Sequence, residues 1–228
     1  MNEIDWVNGD PVELRRAYAA ERAELDATAP PEVAVETLDG GLAGLHFAPP
    51  SETGAPILYF HGGGWAVGSP ATHRALCAWL ALSTRRRVLS VSYPLAPENP
   101  YPAQRDAARG TVAGMHRREA RFFVAGDSAG GAMALWGAGE NSTQVAGVAT
   151  LYPAYGLPNS RSIDVHGPKS PSLNAAAIAA MYRRMGIAPN RLQEDVPSNG
   201  APVLIVAAEQ DPLHDDCLAL EKARRGGT

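Results

Sequence analysis

The sequence predicts an α/β fold with a mostly parallel, twisted sheet and helices on both faces. Two observations lead to this prediction. Short apolar runs recur along the 228 residues and alternate with stretches of helical composition, as parallel strands alternate with the helices that connect them. In addition, 45% of the residues are hydrophobic, which suits one domain with a sizeable core.

Several short runs have the apolar composition of strands. They are 33–38, 42–47, 56–60, 88–93, 121–125, 145–151 and 203–207. The first two runs are separated by Asp39-Gly40-Gly41, a typical hairpin turn. An antiparallel pair at the start makes the predicted sheet mixed.

Helical composition marks the stretches between these runs. They are about 11–26, 72–84, 104–118, 130–138, 174–186 and a last stretch that ends near 225. In the first helix Asp10 is the N-cap and Pro11 follows at N1. The residues expected on buried faces are Leu14, Tyr18 and Leu25 in the first helix and Leu76, Trp79, Leu80 and Ser83 in the second.

The alternation breaks at about 154–200, a stretch rich in Pro, Ser and Asn that is expected to hold one helix, from Asn174 to Gly186. We interpret it as a cap over the carboxyl edge of the sheet, where ligand sites of such sheets lie. The alternative is an ordinary surface helix packed on the core. The predicted organisation is therefore an N-terminal cap helix segment at 1–30 and a core at 31–228 that carries the cap insertion.

Composition and charge exclude several functional classes. The net charge is −4 and no long basic run suggests nucleic acid. No run approaches the ~18 apolar residues of a membrane span, and the polar start has no features of a signal peptide. Cys77 and Cys217 lack metal-ligand spacing and are expected to be buried free thiols. We expect a cytoplasmic protein with a small-molecule substrate and neither metal nor cofactor.

The order of residues around Ser128 predicts a nucleophile elbow. An apolar run leads into Gly126-Asp127-Ser128-Ala129-Gly130-Gly131, and small helix-forming residues follow. This is the G-x-S-x-G arrangement, in which a serine sits on a sharp strand-to-helix turn and its small neighbours allow close approach. The helix that starts there directs free N–H groups at an anion formed on the serine. A glycine-rich loop that merely contains a serine is the alternative.

Four segments together resemble the hormone-sensitive-lipase-like branch of the α/β-hydrolases, the fold-3 esterases. They are His61-Gly62-Gly63-Gly64, Tyr93-x-Leu95-Ala96-Pro97-Glu98, the elbow at 126–131 and Asp211-Pro212-Leu213-x-Asp215. They occur in the family's order, and the resemblance spans about 33–225. It implies the α/β-hydrolase fold and hydrolysis of carboxylic esters with acyl chains of up to about eight carbons. Amide or formamide hydrolysis, as in kynurenine-formamidase-like relatives, is the alternative chemistry.

The resemblance assigns roles to particular residues. Gly63, Gly64 and Ala129 would donate their backbone N–H groups to the oxyanion of the tetrahedral intermediate, and Ser128 would be the nucleophile. A tight turn after a strand is the plainer interpretation of the glycines. His61, Trp65 and Glu98 are expected to be structural residues that hold their loops.

Asp211 follows the last apolar run, where the triad acid belongs in chain order. A triad acid orients the histidine and stabilises the imidazolium. The simpler interpretation is a helix N-cap before Pro212, and Asp215 is the rival acid.

In the family, the triad histidine follows one more strand after the helix that comes after the acid. This sequence has no histidine at that place, and we expect that strand to be absent too. None of the six histidines follows the last helix; His214, and less so His166, are the remaining candidate bases. Three hypotheses remain. The chain is a truncated ester hydrolase, or a non-catalytic binding module as the plant gibberellin receptors of this family are, or it receives the strand and base from a partner chain. An exposed sheet edge could also support an oligomer.

Overall fold

The computed structural model describes residues 4–38, 41–139, 143–157, 159–170, 172–197 and 200–226. Seven strands form one sheet. They are β1 (Ala34–Thr37), β2 (Gly44–Ala48), β3 (Ile57–Phe60), β4 (Val88–Val91), β5 (Phe122–Asp127), β6 (Val145–Leu151) and β7 (Val203–Val206). Their order across the sheet is β1-β2-β4-β3-β5-β6-β7. The pairs β1–β2 and β2–β4 are antiparallel and the other pairs are parallel, which confirms the mixed, mostly parallel sheet. Asp39 and Gly40 of the predicted hairpin turn lie outside the described residues.

Eight helices connect and cover the strands in the described part of the chain. They are α1 (Pro11–Ala23), α2 (Arg74–Thr84), α3 (Ala103–His116), α4 (Ala129–Ala138), α5 (Arg161–His166), α6 (Ala175–Met185), α7 (Arg191–Glu194) and α8 (His214–Gly226). The Asp10 side chain caps α1 by accepting from the Val12 N–H at 2.9 Å. Asn174 and Gly186 cap the two ends of α6. The expectation of a single helix between β6 and β7 is wrong, because α5 and α7 lie there in addition to α6. These two helices have only 6 and 4 residues, which is too short for a helical period to be visible in the sequence.

Two predicted helix faces need correction. Leu25 is 45% exposed, since α1 ends at Ala23 and the following 3-10 turn places side chains at a different angle. Trp79 is 50% exposed, and Ser83 of the same predicted face is exposed as well. The indole N–H of Trp79 donates to the Thr28 carbonyl at 2.6 Å. Small side chains form the buried face of α2 instead: Ala75, Cys77, Ala78 and Ala81.

The two faces of the sheet are covered differently. Helices α3, α4, α6 and α8 contribute to the larger core on one face. Helix α2 covers the opposite face over β2, β3 and β4. On that same face of β7, Leu204 is 62% and Val206 44% exposed. Both cysteines are free and buried, as expected.

A third cluster lies at the carboxyl edge of the parallel strands. It joins α1 to the loop after β3 and to α6 through Trp6, Leu14, Tyr18, Val67 and Met181, among others. Trp6 and Tyr18 meet edge to face with centroids 5.9 Å apart. The N-terminal segment therefore packs directly above the elbow region. Among the described residues, no helix has the length and apolar character needed to cross a bilayer.

Candidate functional site

Ser128 lies at the junction of β5 and α4, with φ 51° and ψ −119°. A non-glycine residue in this left-handed region is strained. The flanking glycines have a steric cause: a Cβ at Gly126 would lie 2.2 Å from the Gly130 carbonyl oxygen, and one at Gly130 would lie 2.0 Å from the Phe60 carbonyl oxygen. The elbow thus forms because its strand, helix and neighbouring strand meet at backbone contact.

Backbone hydrogen bonds hold Ser128 in this conformation. Its N–H donates to the Leu151 carbonyl at 2.9 Å, and its carbonyl accepts from Gly131 at 3.0 Å and from Ala154 at 3.1 Å. The side chain is partly exposed. The strain is therefore offset by contacts to β6 and to the chain after it, and the hydroxyl remains accessible.

The glycine loop after β3 faces the same space. Gly63 and Gly64 have φ values of 121° and 56°. A Cβ on Gly64 would lie 2.5 Å from the Met181 sulfur, so glycine keeps this spot open. Among the described residues, neither glycine N–H has a hydrogen-bond acceptor. The N–H of Ala129, the first of α4, also lacks an intrahelical partner.

One cavity brings Ser128 and the two glycines together, whereas Ala129 is fully buried and is not part of its lining. The cavity has a volume of about 510 Å³, counted with its open mouth, and its lining includes Ser128, Gly63 and Gly64. The remaining lining residues come from the N-terminal segment, the strand ends and the segment around α6: Trp6, Tyr18, Arg22, Asp127, Tyr152, Ser172, Leu173 and Met181.

Asp127 ties the elbow to the glycine loop. Its Oδ1 accepts from the Tyr59 hydroxyl at 2.7 Å and from the Gly62 N–H at 2.9 Å. Its Oδ2 lies 3.4 Å from Nε2 of His73. Burial opposes ionisation, but the interactions with His73 and Tyr59 outweigh it, and the pKa of Asp127 is below its ordinary value. Sequence reasoning missed this role, although Asp127 lies within the motif beside the serine.

His61 is a structural residue, as expected. Its ring stacks on Tyr93 with centroids 4.3 Å apart, and its Nδ1 lies 2.8 Å from the Gly62 carbonyl oxygen. Complete burial, reinforced by the charge of His73, lowers the pKa of His61 to about 3. A neutral imidazole therefore supports the glycine loop from behind. Glu98 likewise anchors its loop, with its carboxylate 2.9 Å from Arg15 of α1.

Of the two predicted acids, Asp211 precedes α8 and Asp215 lies in its first turn. Asp211 Oδ1 accepts from the Leu213 N–H at 2.7 Å, which is an Asx-turn just before α8, and Asp211 does not line the cavity. Asp215 accepts from the Ser162 N–H at 2.9 Å, so it fastens α5. Asp216 is buried and accepts from the backbone N–H groups of Tyr155 and Gly156.

The structure brings no predicted base to the serine within the described residues. No histidine is among the described residues that line the cavity. His214 Nδ1 lies 3.1 Å from the Ala208 carbonyl oxygen, and His166 ends α5. The structure thus places Ser128, Gly63 and Gly64 together, and leaves Asp211, His214 and His166 outside the cavity.

Comparisons with known proteins agree with this geometry. A family model described as "alpha/beta hydrolase fold" matches residues 57–226. The chain is 33% identical to Esterase LipI of Mycobacterium tuberculosis over 73% of this chain and 59% of that protein. It is 30% identical to Acetyl-hydrolase of Streptomyces hygroscopicus over 97% of this chain and 79% of that protein.

The fold is also that of solved esterase structures. The crystal structure of a hormone-sensitive lipase from a metagenome library superimposes with a TM-score of 0.86 at 26% identity, and the match covers 96% of this chain and 78% of that one. The chain spans 59% and 60% of the length of two curated relatives that it matches, Esterase LipI and Ethyl acetate hydrolase of Pseudomonas putida.

Proposed function

Because the chain belongs to the α/β-hydrolase family, in its hormone-sensitive-lipase-like branch, we propose that it hydrolyses carboxylic esters with short acyl chains. The observation that carries this proposal is the cavity shared by Ser128, Gly63 and Gly64. A strained serine between a strand and a helix, opposite unpartnered backbone N–H groups, is an arrangement suited to acyl transfer.

In the proposed reaction, Ser128 Oγ attacks the ester carbonyl carbon and loses its proton to a base. The carbonyl oxygen becomes an oxyanion, which the N–H groups of Gly63, Gly64 and Ala129 stabilise. Donors of this kind contribute roughly 3 kcal/mol each where they have been removed. The alcohol then leaves with a proton, and water hydrolyses the acyl-serine to release the acid.

The base is the part that the described cavity residues do not contain. We propose Asp211 as the carboxylate that orients it, from its position after β7, the strand next to β6. A serine without an adjacent base is a weak nucleophile. We therefore expect this chain by itself to turn over slowly, and imidazole supplied in solution to accelerate it.

Hydrolysis of p-nitrophenyl butyrate tests the proposal. We expect turnover above the buffer rate that increases with imidazole, and we expect Ser128→Ala to abolish the protein-dependent part with and without imidazole. The acyl-chain series from acetate to palmitate should peak at eight carbons or fewer, since the cavity is small. A Ser128→Ala variant as active as the original chain would refute the proposal.

A non-catalytic binding module is the second candidate function. The observation that favours it is the same lack of a histidine among the described cavity residues. It predicts that a small ester binds and that no Ser128-dependent turnover appears even with imidazole. The imidazole arm of the assay therefore separates the two candidates.

We also propose a cellular location and an oligomeric state. The buried free thiols of Cys77 and Cys217 suit a reducing compartment, and we propose the cytoplasm as the location. Strand β7 pairs with β6 and is last in the sheet order, and its exposed Leu204 and Val206 support an oligomer formed through this edge.

A further inference from the structure

Arg22, near the end of α1, lines the cavity that contains Ser128. Arg22 also lines a second, neighbouring cavity of about 410 Å³. Asp127 and Tyr152 line both cavities. The guanidinium carbon lies 4.9 Å from the centre of the Tyr18 ring. A permanent positive charge is thus placed at the wall of the proposed ester site.

The charge of Arg22 has no carboxylate counterpart within the described residues. No ion pair involves it, and its Nε is buried without a hydrogen-bond partner there. Other arginines that hold the N-terminal segment are paired: Arg15 binds Glu98, and Arg184 donates to the Trp6 carbonyl at 2.8 Å. The guanidinium does interact with Tyr18, but Tyr18 is neutral and Nε remains without a partner among the described residues. Burying a polar donor without a partner is costly, so a guanidinium that lacks a carboxylate at the wall of a ligand cavity points to an anion that the ligand brings.

We propose that the ester bound in this cavity carries a carboxylate and that Arg22 binds it. The inference rests on the ester hydrolysis proposed above. A guanidinium presents parallel N–H donors that match a carboxylate in a two-point contact. Because Ser128 and Arg22 line the same cavity, one small half-ester of a dicarboxylic acid can reach both, with its ester carbonyl at the serine and its free carboxylate at the arginine.

The surrounding groups favour a singly charged ligand. Asp127 lines both cavities and Asp26 lines the second, so a dianionic group such as a phosphate monoester would meet two carboxylates as well as one guanidinium. Tyr152 lies between the cavities, and its hydroxyl has no hydrogen-bond partner among the described residues. Burial raises the pKa of Tyr152 to about 12, so its hydroxyl stays protonated and can donate a second hydrogen bond to the carboxylate.

Binding to the Ser128→Ala variant tests this inference without any need for turnover. The variant is titrated calorimetrically with monoethyl glutarate and with ethyl valerate, an uncharged ester of similar length. We expect the half-ester to bind at least about tenfold more tightly, in line with the strength of charge-assisted hydrogen bonds. Monoethyl succinate and monoethyl adipate then report which spacing fits.

A second substitution assigns the preference to Arg22. In the Ser128→Ala background, Arg22→Gln should abolish the preference, and Arg22→Lys should keep only part of it because the two-point contact is lost. Arg16→Gln is the matched control, since Arg16 is on the same helix with 78% of its side chain exposed, and should keep the whole preference. Circular dichroism verifies that each variant is folded.

Equal binding of the charged and neutral esters, or a preference that survives in both Arg22 variants, would overturn the inference. Failure of the ester hydrolysis itself would look different. It would leave the binding preference in place and appear as a lack of Ser128-dependent turnover with imidazole.

Discussion

The site has two halves, and the structure builds them differently. The nucleophile half, named for the role proposed for Ser128, consists of the elbow, the glycine loop and Asp127, and it lies on β3 and β5 in the interior of the sheet. The acid half consists of Asp211, Asp215 and Asp216 and follows β7, the last strand in the sheet order. Buried backbone contacts fix the first half, whereas the second is tied mainly to the segment between β6 and β7.

A buried carboxylate in each half shows what this difference means. Asp127 faces His73, Tyr59 and the Gly62 amide, and its pKa is below the ordinary value despite burial. Asp216 accepts only backbone amides among the described residues, and burial raises its pKa to about 6. The charge of Asp127 is therefore stabilised by its partners in the folded protein, whereas folding disfavours the charged form of Asp216. The largest effects on stability should follow from changes in the nucleophile half.

Gly130→Ala is expected to have the largest effect. Its Cβ would lie 2.0 Å from one backbone carbonyl oxygen and 2.6 Å from another, and backbone cannot give way as a flexible side chain can. We expect a loss of about 3 kcal/mol or more in the free energy of unfolding by urea, or no folded protein.

The matched control is Gly110→Ala in α3, where a Cβ meets nothing within 4 Å. It should stabilise by about 0.5–1 kcal/mol, because alanine is the better helix former. A Gly130→Ala protein as stable as the original chain would disprove the close approach at the elbow.

The pH dependence of stability isolates Asp216. Because its folded pKa of about 6 is above the ordinary 3.8, its contribution is present below about pH 4 and lost as the pH rises through 6. Between about pH 4 and pH 7 this carboxyl alone should cost the fold about 2–3 kcal/mol.

Asp216→Asn removes the charge and keeps an oxygen that can accept from Tyr155 and Gly156. We expect its free energy of unfolding relative to the original chain to rise by that amount between the two pH values, measured by urea unfolding. A difference between the two proteins that stays constant with pH would contradict the raised pKa.

Asp127→Asn should have a moderate effect on stability. The amide oxygen can still accept from Tyr59 and Gly62, but the interaction with His73 loses its charge. We expect a loss of about 1–3 kcal/mol at neutral pH. Because the pKa of Asp127 is lowered in the folded protein, protonation at low pH removes the stability that its carboxylate contributes. The loss caused by Asp127→Asn should therefore shrink as the pH falls.

Asp211→Ala is expected to have the smallest effect on stability. It removes the bond from the Leu213 N–H to Oδ1, and loss of one such hydrogen bond costs about 1 kcal/mol. Asp211→Asn, which keeps an oxygen that can accept this bond, should be nearly neutral. A loss of about 3 kcal/mol or more for Asp211→Ala, beyond what one hydrogen bond contributes, would remove the contrast between the halves.

The strand-to-helix turn at Ser128 and the glycine loop could be predicted from the sequence because their constraints are local, while the roles of their residues remain predictions. The apolar run before Ser128, the bracketing glycines and the glycine run after β3 are short patterns with direct steric causes. The mixed sheet followed from alternating strands and helices and from one turn signal. Each of these features can be recognised without knowing what the chain meets elsewhere.

The rest depends on contacts between distant segments. Asp127 acts through Tyr59 and His73, and Arg22 enters the cavity because α1 packs over the glycine loop. The buried face of α2 consists of small residues, and such residues give only a weak signal when buried positions are predicted from large apolar side chains. Nothing in the residue types of these segments specifies such partners in advance.

Covalent trapping of Ser128 tests the central claim most directly. The protein is incubated with a fluorophosphonate ester, with imidazole supplied as the base, and its peptides are analysed by mass spectrometry. A partly exposed, strained serine that shares its cavity with Gly63 and Gly64 predicts a single phosphonyl adduct on Ser128, which Ser128→Ala eliminates. An unlabelled Ser128, or an adduct that persists on another serine in Ser128→Ala, would contradict it.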